Sequence, residues 1–181
     1  MYRKTWMQVN LDKIERNLIK LKDICQKKII AVLKADAYGC GDIHVARAVL
    51  EAGAEMIAVS SLDEALVLRN EGYSGKLLIL GATEASDIPV LIKQGISCTA
   101  YSDEWVDNVI QQNCADLHVH LKMDTGMSRI GFRTIDELHL AFNKLQAANC
   151  TMEGIFTHFC CADSDLELTN LQFSKFKEAV E

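Results

Sequence analysis

Two stretches of this sequence combine residue types and spacings that could do chemistry. The first reads Ala31-Val32-Leu33-Lys34-Ala35-Asp36-Ala37-Tyr38-Gly39-Cys40-Gly41. An apolar run ends in a lysine, and the carboxyl end of a barrel strand is where such folds put their reactive groups. Burial there would lower the pKa of the amine and suit it to condense with a carbonyl compound. Gly39 and Gly41 would let the backbone approach a ligand before a helix that begins at Asp42. The plain alternative is a solvated lysine on the strand's rim. The second stretch runs from His118 through Lys122 to Phe132. Strand alternation puts His118, His120 and Lys122 on one face and Val119, Leu121 and Met123 on the other. If the apolar face seats helices, the polar face points inward, and an interior lysine then needs an anionic partner or a modification. The alternative is an edge strand with its polar face in water. The two imidazoles lack a strong third ligand, so no metal site is expected.

These residues need strands to carry them, and the pattern supplies strands. Short β-rich apolar runs recur at Ile29–Leu33, Met56–Val59, Leu77–Leu80, Ile96–Ala100, Leu117–Met123 and Met152–Thr157. Segments of helical spacing lie between them. A helix over residues 11–24 carries Leu11, Ile14, Leu18 and Leu21 on one stripe. Leu138, Ala141, Phe142 and Leu145 fill one face of another, behind a capping box at Thr134–Glu137. Ser61–Glu64 repeats that signature. Ser102 caps a helix bearing Val106, Val109 and Ile110, and Pro89 suits a helix start. The order is helix, then strand–helix six times, which gives an α/β fold with a parallel sheet. A doubly wound sheet and a (β/α)8 barrel both remain, and a barrel would be incomplete here at about six βα units.

Composition narrows the function classes. The 181 residues hold 19 Lys+Arg against 25 Asp+Glu, a net charge of −6, which leaves no basic footprint for nucleic acid or anionic membrane. With 49% apolar residues and one proline, the chain is long enough to bury a real core and lacks the signature of disorder. No apolar run approaches the ~18–20 residues of a membrane span. Asp12, Lys13, Glu15 and Arg16 interrupt any signal-peptide core. Seven cysteines, an odd number with no Cys-x-x-Cys pair, suit a reducing, cytoplasmic compartment. Cys160 and Cys161 are adjacent and would bridge only with strain. His44 and His139 fall on helices and are expected in solvent.

Three ordered blocks carry a family resemblance over nearly the whole chain. Val32-Leu33-Lys34-Ala35-Asp36-Ala37-Tyr38-Gly39-x-Gly41 resembles the pyridoxal-phosphate motif of bacterial alanine racemases. Lys122-Met123-Asp124-Thr125-Gly126-Met127-x-Arg129-x-Gly131 resembles their second hallmark, and Thr157-His158-Phe159 with Ala162-Asp163 a third. The resemblance implies the N-terminal portion of a fold-type-III enzyme. Residues 1–181 would form a partial pyridoxal-phosphate-binding TIM-type barrel domain, with the C-terminal β domain absent from the chain.

The resemblance also implies roles. Lys34 is similar to the lysine that holds pyridoxal phosphate as an aldimine and acts as a base on one face of the substrate. Tyr38 is similar to a tyrosine near the cofactor phosphate, and Leu80 to a residue that packs on the cofactor. Arg129 resembles the arginine that steers the cofactor ring oxygen and the substrate carboxylate, and His158 a histidine lining the cofactor pocket. Lys122 resembles a lysine that is carbamylated in many members, which would turn an awkward interior cation into an anion able to orient Arg129. Cys40 stands where the family usually has histidine, and Asp36 where asparagine is also common. The implied activity is two-base interconversion of L- and D-alanine, supplying peptidoglycan, in a homodimer. The second base is expected beyond residue 181, leaving the fragment inactive alone. A serine or broad-spectrum racemase would share all three blocks, and a non-catalytic pyridoxal-phosphate homeostasis protein is the alternative of a different class.

Overall fold

The computed structural model describes residues 4–181, which divide into two compact units between Leu78 and Ile79. The first begins with helix α1 (Leu11–Cys25), whose start is capped by the Asn10 side chain accepting the Lys13 N–H. Strands β1 (Ile30–Val32), β2 (Met56–Val59) and β3 (Leu77–Ile79) form a sheet in that order. β1 and β2 are parallel, with Ala31 opposite Ile57. All four residues of β2 are buried, as expected of a central strand in a parallel sheet. Helices α2 (Lys34–Gly39) and α3 (Asp42–Glu51) follow β1, and α4 (Leu62–Asn70) follows β2. α1 packs on α3 through Leu18, while Leu21 of the expected stripe is exposed.

The second unit holds a parallel sheet in the order β4 (Cys98–Ala100), β5 (His118–Lys122), β6 (Thr151–Phe156). A short 3-10 turn (Ala85–Asp87) leads into α5 (Ile88–Gln94), with Pro89 at its start. Helix α6 (Asp103–Ile110) follows β4, α7 (Ile135–Ala147) follows β5, and α8 (Leu166–Val180) follows β6. The six strands and their order therefore agree with the sequence pattern. The capping box at Thr134–Glu137 is present, and Leu138, Ala141 and Leu145 are buried beneath it. On α6 the buried face is Trp105, Val106 and Val109; Ile110 is exposed, because the Trp105 Nε1–H is anchored inward on the Thr83 carbonyl at 2.7 Å.

Two details depart from the local pattern. Ser61 caps α4 as expected, its side chain accepting the Glu64 N–H. The Glu64 carboxylate reaches further than a capping box requires, accepting also from the Ser60 N–H, the Ser60 hydroxyl and the Ala35 N–H. The register of β5 against β6 shifts between Val119 and His120, so Glu153 is the extra residue of a bulge. The bulge turns the Glu153 carboxylate onto His118 Nδ1 at 2.9 Å and His120 Nε2 at 3.4 Å, with the Ser97 hydroxyl donating to it as well.

All seven cysteines are free thiols: Cys98, Cys114 and Cys150 fill core positions, and Cys25 and Cys160 are exposed. His44 and His139 are exposed on their helices, as expected. No helix among the described residues is long and apolar enough to cross a membrane.

Candidate active site

Lys34 follows β1 by two residues, half-buried at the carboxyl end of the strand. The next four residues are unusual. Ala35, Asp36, Ala37 and Tyr38 have φ of 52°, 54°, 51° and 57°, one turn of left-handed helix built from residues with side chains. Each such residue costs roughly 1–2 kcal/mol, so the turn persists only where its surroundings fix it. The Glu64 carboxylate accepts the Ala35 N–H at 2.8 Å, and the Asp36 carboxylate accepts the Asp42 N–H at 2.8 Å. Ala37 is buried and donates its N–H to the Leu33 carbonyl at 2.9 Å. Asp36 suits this place, because a short polar side chain tolerates positive φ better than most. Gly39 and Gly41, at φ of 84° and 89°, serve the same backbone demand; a Cβ on Gly39 would meet nothing within 4 Å, so no close approach is involved.

The turn leaves the Lys34 amine 5.8 Å from the centre of the exposed Tyr38 ring. No carboxylate among the described residues pairs with it. Glu64 is the residue that sequence reasoning missed here. Burial pushes its carboxyl up, but the donors from Ala35, Ser60 and Ser61 together hold it below the ordinary glutamate value.

In the second unit Lys122 closes β5 and is 2% exposed, so the edge-strand alternative is excluded and the inward-facing lysine is correct. Its amine sits 4.8 Å from the centre of the Phe156 ring, and no carboxylate among the described residues lies within an ion pair's reach. Burial lowers its pKa, the Arg129 charge lowers it further, and only Asp124 opposes. A buried cation beside a second cation is the arrangement that an added negative charge would relieve.

The loop after β5 is pinned at its base, where Asp124 N–H donates to Phe132 O and Phe132 N–H to Lys122 O, at 2.8 and 2.9 Å. Asp124 also accepts from the Gly126 and Ser128 N–H groups. Gly131 is required: at φ 120° a Cβ would stand 2.8 Å from the Lys122 carbonyl oxygen and 2.9 Å from the Asp124 nitrogen. Arg129 is exposed on this loop.

His158, two residues beyond β6, is exposed, and Leu80, one residue beyond β3, is half-buried. Gln172 of α8, which sequence reasoning also missed, is fully buried. Its amide donates to the Thr125 hydroxyl at 3.3 Å and the His158 carbonyl at 3.5 Å, and its oxygen accepts the Cys160 N–H at 3.1 Å. The Thr125 and Thr157 hydroxyls lie 2.8 Å apart, joining the two loops again. A polar residue in line with Leu168, Phe176 and Ala179 on the inward stripe of α8 is the signal that could have found it.

Lys34 and Tyr38 thus belong to the first unit, and Leu80, Lys122, Arg129 and His158 to the second. Every one of them stands at or just after the carboxyl end of a strand or in the segment that follows it.

Residues 9–181 match the family model described as alanine racemase, N-terminal domain. The chain is 37% identical to the alanine racemases of Halalkalibacterium halodurans and Geobacillus stearothermophilus, covering 99% of this chain and 48% of each relative. Among solved structures, the alanine racemase of Bacillus anthracis with bound L-Ala-P superposes with a TM-score of 0.90 at 36% identity, over 99% of this chain and 48% of that one. A histidine racemase from Leuconostoc mesenteroides gives 0.86 at 30% identity, over 92% of this chain and 46% of that one. The chain spans about half the length of these relatives, and over that half both its sequence and its fold place it in the alanine racemase N-terminal domain family.

Proposed function

We propose that the protein to which this chain contributes interconverts L- and D-alanine with pyridoxal phosphate held by Lys34. The observation that carries this reading is the Lys34 amine: at a strand's carboxyl end, immediately before a fixed left-handed turn, and committed to no ion pair among the described residues. The other donors fit an anionic, carbonyl-bearing cofactor, since Lys122 and Arg129 supply positive charge that the described carboxylates do not neutralise. When bound, the cofactor draws electrons from the substrate Cα and makes its proton acidic.

The chain's own residues then divide the work. Lys34 Nζ takes the Cα proton on one face and returns it. By their match to the family's positions, Arg129 would take the substrate carboxylate and the cofactor ring oxygen, Tyr38 the phosphate, and Leu80 and His158 would contact the cofactor. Carbamylation of Lys122 would reverse its sign and let it orient Arg129 instead of repelling it. The base for the opposite face has no matched residue in this chain and is supplied from outside residues 1–181. In the homodimeric whole protein the product is D-alanine for peptidoglycan, made in the cytoplasm.

The test is turnover of L-alanine to D-alanine by the whole protein. Lys34→Ala is expected to reduce it by at least about a thousandfold, the scale of a lost general base together with its covalent anchor. Turnover near that of the unchanged protein would overturn the assignment. The similarity to a histidine racemase favours one second reading, a broader amino-acid racemase. Initial rates with L-alanine, L-serine and L-histidine separate the two.

A further inference from the structure

We propose that Cys160 and Cys161 form a vicinal dithiol site for a monosubstituted trivalent arsenical, captured through both sulfurs on one arsenic atom. Their Sγ atoms are 3.4 Å apart, with Cys160 exposed and Cys161 half-buried, so a reagent can reach them. That separation is far beyond a disulfide bond of about 2.05 Å. Two metal–sulfur-type bonds of about 2.3 Å meeting at one atom at roughly 95° span about 3.4 Å.

The backbone favours the same outcome. Adjacent Cα atoms are about 3.8 Å apart, below the range of ordinary disulfides, so closing a direct bond would twist the connecting peptide. That peptide is held on both sides. The Cys160 N–H donates to Gln172 Oε1 at 3.1 Å, and the Cys161 carbonyl accepts from the Ser164 and Asp165 N–H groups at 3.1 and 2.9 Å. Gln172 is itself fully buried and bonded to Thr125. A one-atom bridge needs none of these bonds to break except the Cys160 S–H contact to Gln172 Oε1.

The ligand class follows from what surrounds the sulfurs. No group of three His, Cys, Asp or Glu among the described residues could hold a metal ion, so a metal needing four protein ligands is not served. A three-coordinate centre that brings its own third substituent needs only the two sulfurs. The hydrogen bond with the Cys160 thiol, then slight burial and the charges of Asp165 and Asp163, hold the Cys161 thiol up at about 11. At neutral pH the Cys161 thiol is therefore protonated and a poor target for reagents that need a thiolate. Arsenical capture can start from the thiols: two As–S bonds form and two As–O bonds of the hydrated arsenical break. Two waters leave with the thiol protons, and nothing is oxidised or reduced.

The experiment uses the reduced 181-residue chain and phenylarsine oxide, with intact mass and peptide mapping as readouts. The expected result is one phenylarsenic unit per chain, mapped to the peptide containing Cys160 and Cys161. It should survive excess monothiol and be removed by a dithiol, while iodoacetamide labels Cys161 slowly at pH 7. Cys160→Ser and Cys161→Ser should each weaken retention at least about a hundredfold, because the second arm of a chelate acts at high effective concentration. No uptake by the unchanged chain, uptake mapped to other cysteines, or equal retention by a folded Cys160→Ser chain would overturn the proposal. Mapping on the unchanged chain decides the matter even if a serine variant fails to fold. Neither pyridoxal phosphate nor turnover enters the readout, so failure of the racemase reading leaves this result intact.

Discussion

Lys34 and Lys122 stand at similar places on their strands and meet opposite physics. Lys34 has its amine open beside Tyr38, whereas Lys122 is buried against Phe156 with a second cation nearby. Burial and Arg129 lower the Lys122 pKa, so the unfolded chain binds the extra proton more readily than the folded one. Stability should therefore rise as pH climbs from the depressed folded value toward about 10.4, the unfolded one. Lys122→Met should remove that slope and leave the chain as stable or more so at pH 7, measured by thermal unfolding across pH. A loss of several kcal/mol would show that the native lysine is neutralised. Glu64 works the other way. Its lowered pKa contributes stability that is present above the unfolded glutamate value of about 4.3 and lost as pH falls through the folded one. Glu64→Gln should cost about 1–3 kcal/mol at pH 7 and flatten the acid limb, because only one oxygen then remains to accept from Ala35 and Ser60. Lys34 and Lys122 were legible as lysines ending apolar runs. Glu64 and Gln172 were not, because their roles come from partners 29 and 47 residues away.

At the scale of elements, caps and alternation speak locally and the sequence speaks with them. Asn10, Ser61, Ser102, Thr134 and Asp165 each cap a helix through the side chain. Thr134→Ala should lower the stability of the chain by about 1 kcal/mol, read as a drop in urea midpoint without a change in slope. Gly131→Ala should do more damage, since its Cβ has no place beside the Lys122 carbonyl. A neutral effect in the same assay would mean the loop is not closed at its base. Local reasoning fails at the left-handed turn. Only Asp36 of Ala35-Asp36-Ala37-Tyr38 tolerates positive φ readily, and the two alanines favour a right-handed helix. The turn is imposed by Glu64 and by burial of Ala37. The Glu153 bulge was hidden for the same reason, since its contacts with His118 and His120 lie across strands.

At the scale of the molecule, the chain carries two compact units and about half the length of its relatives. Lys34 sits in one unit while Lys122, Arg129 and His158 sit in the other. Proton exchange on two faces of Cα needs two bases, and this chain offers one matched candidate. The 181-residue chain with pyridoxal phosphate is therefore expected to give little or no D-alanine from L-alanine; turnover like that of a complete enzyme would show a second base within it. Whether Lys34 holds the cofactor is decided by chemical trapping. The protein is mixed with equimolar pyridoxal phosphate, reduced with borohydride, digested and mapped by mass. The reduced cofactor is expected on Lys34, with the visible absorbance band lost in Lys34→Ala. Label spread over other lysines, with the band unchanged in that variant, would contradict it.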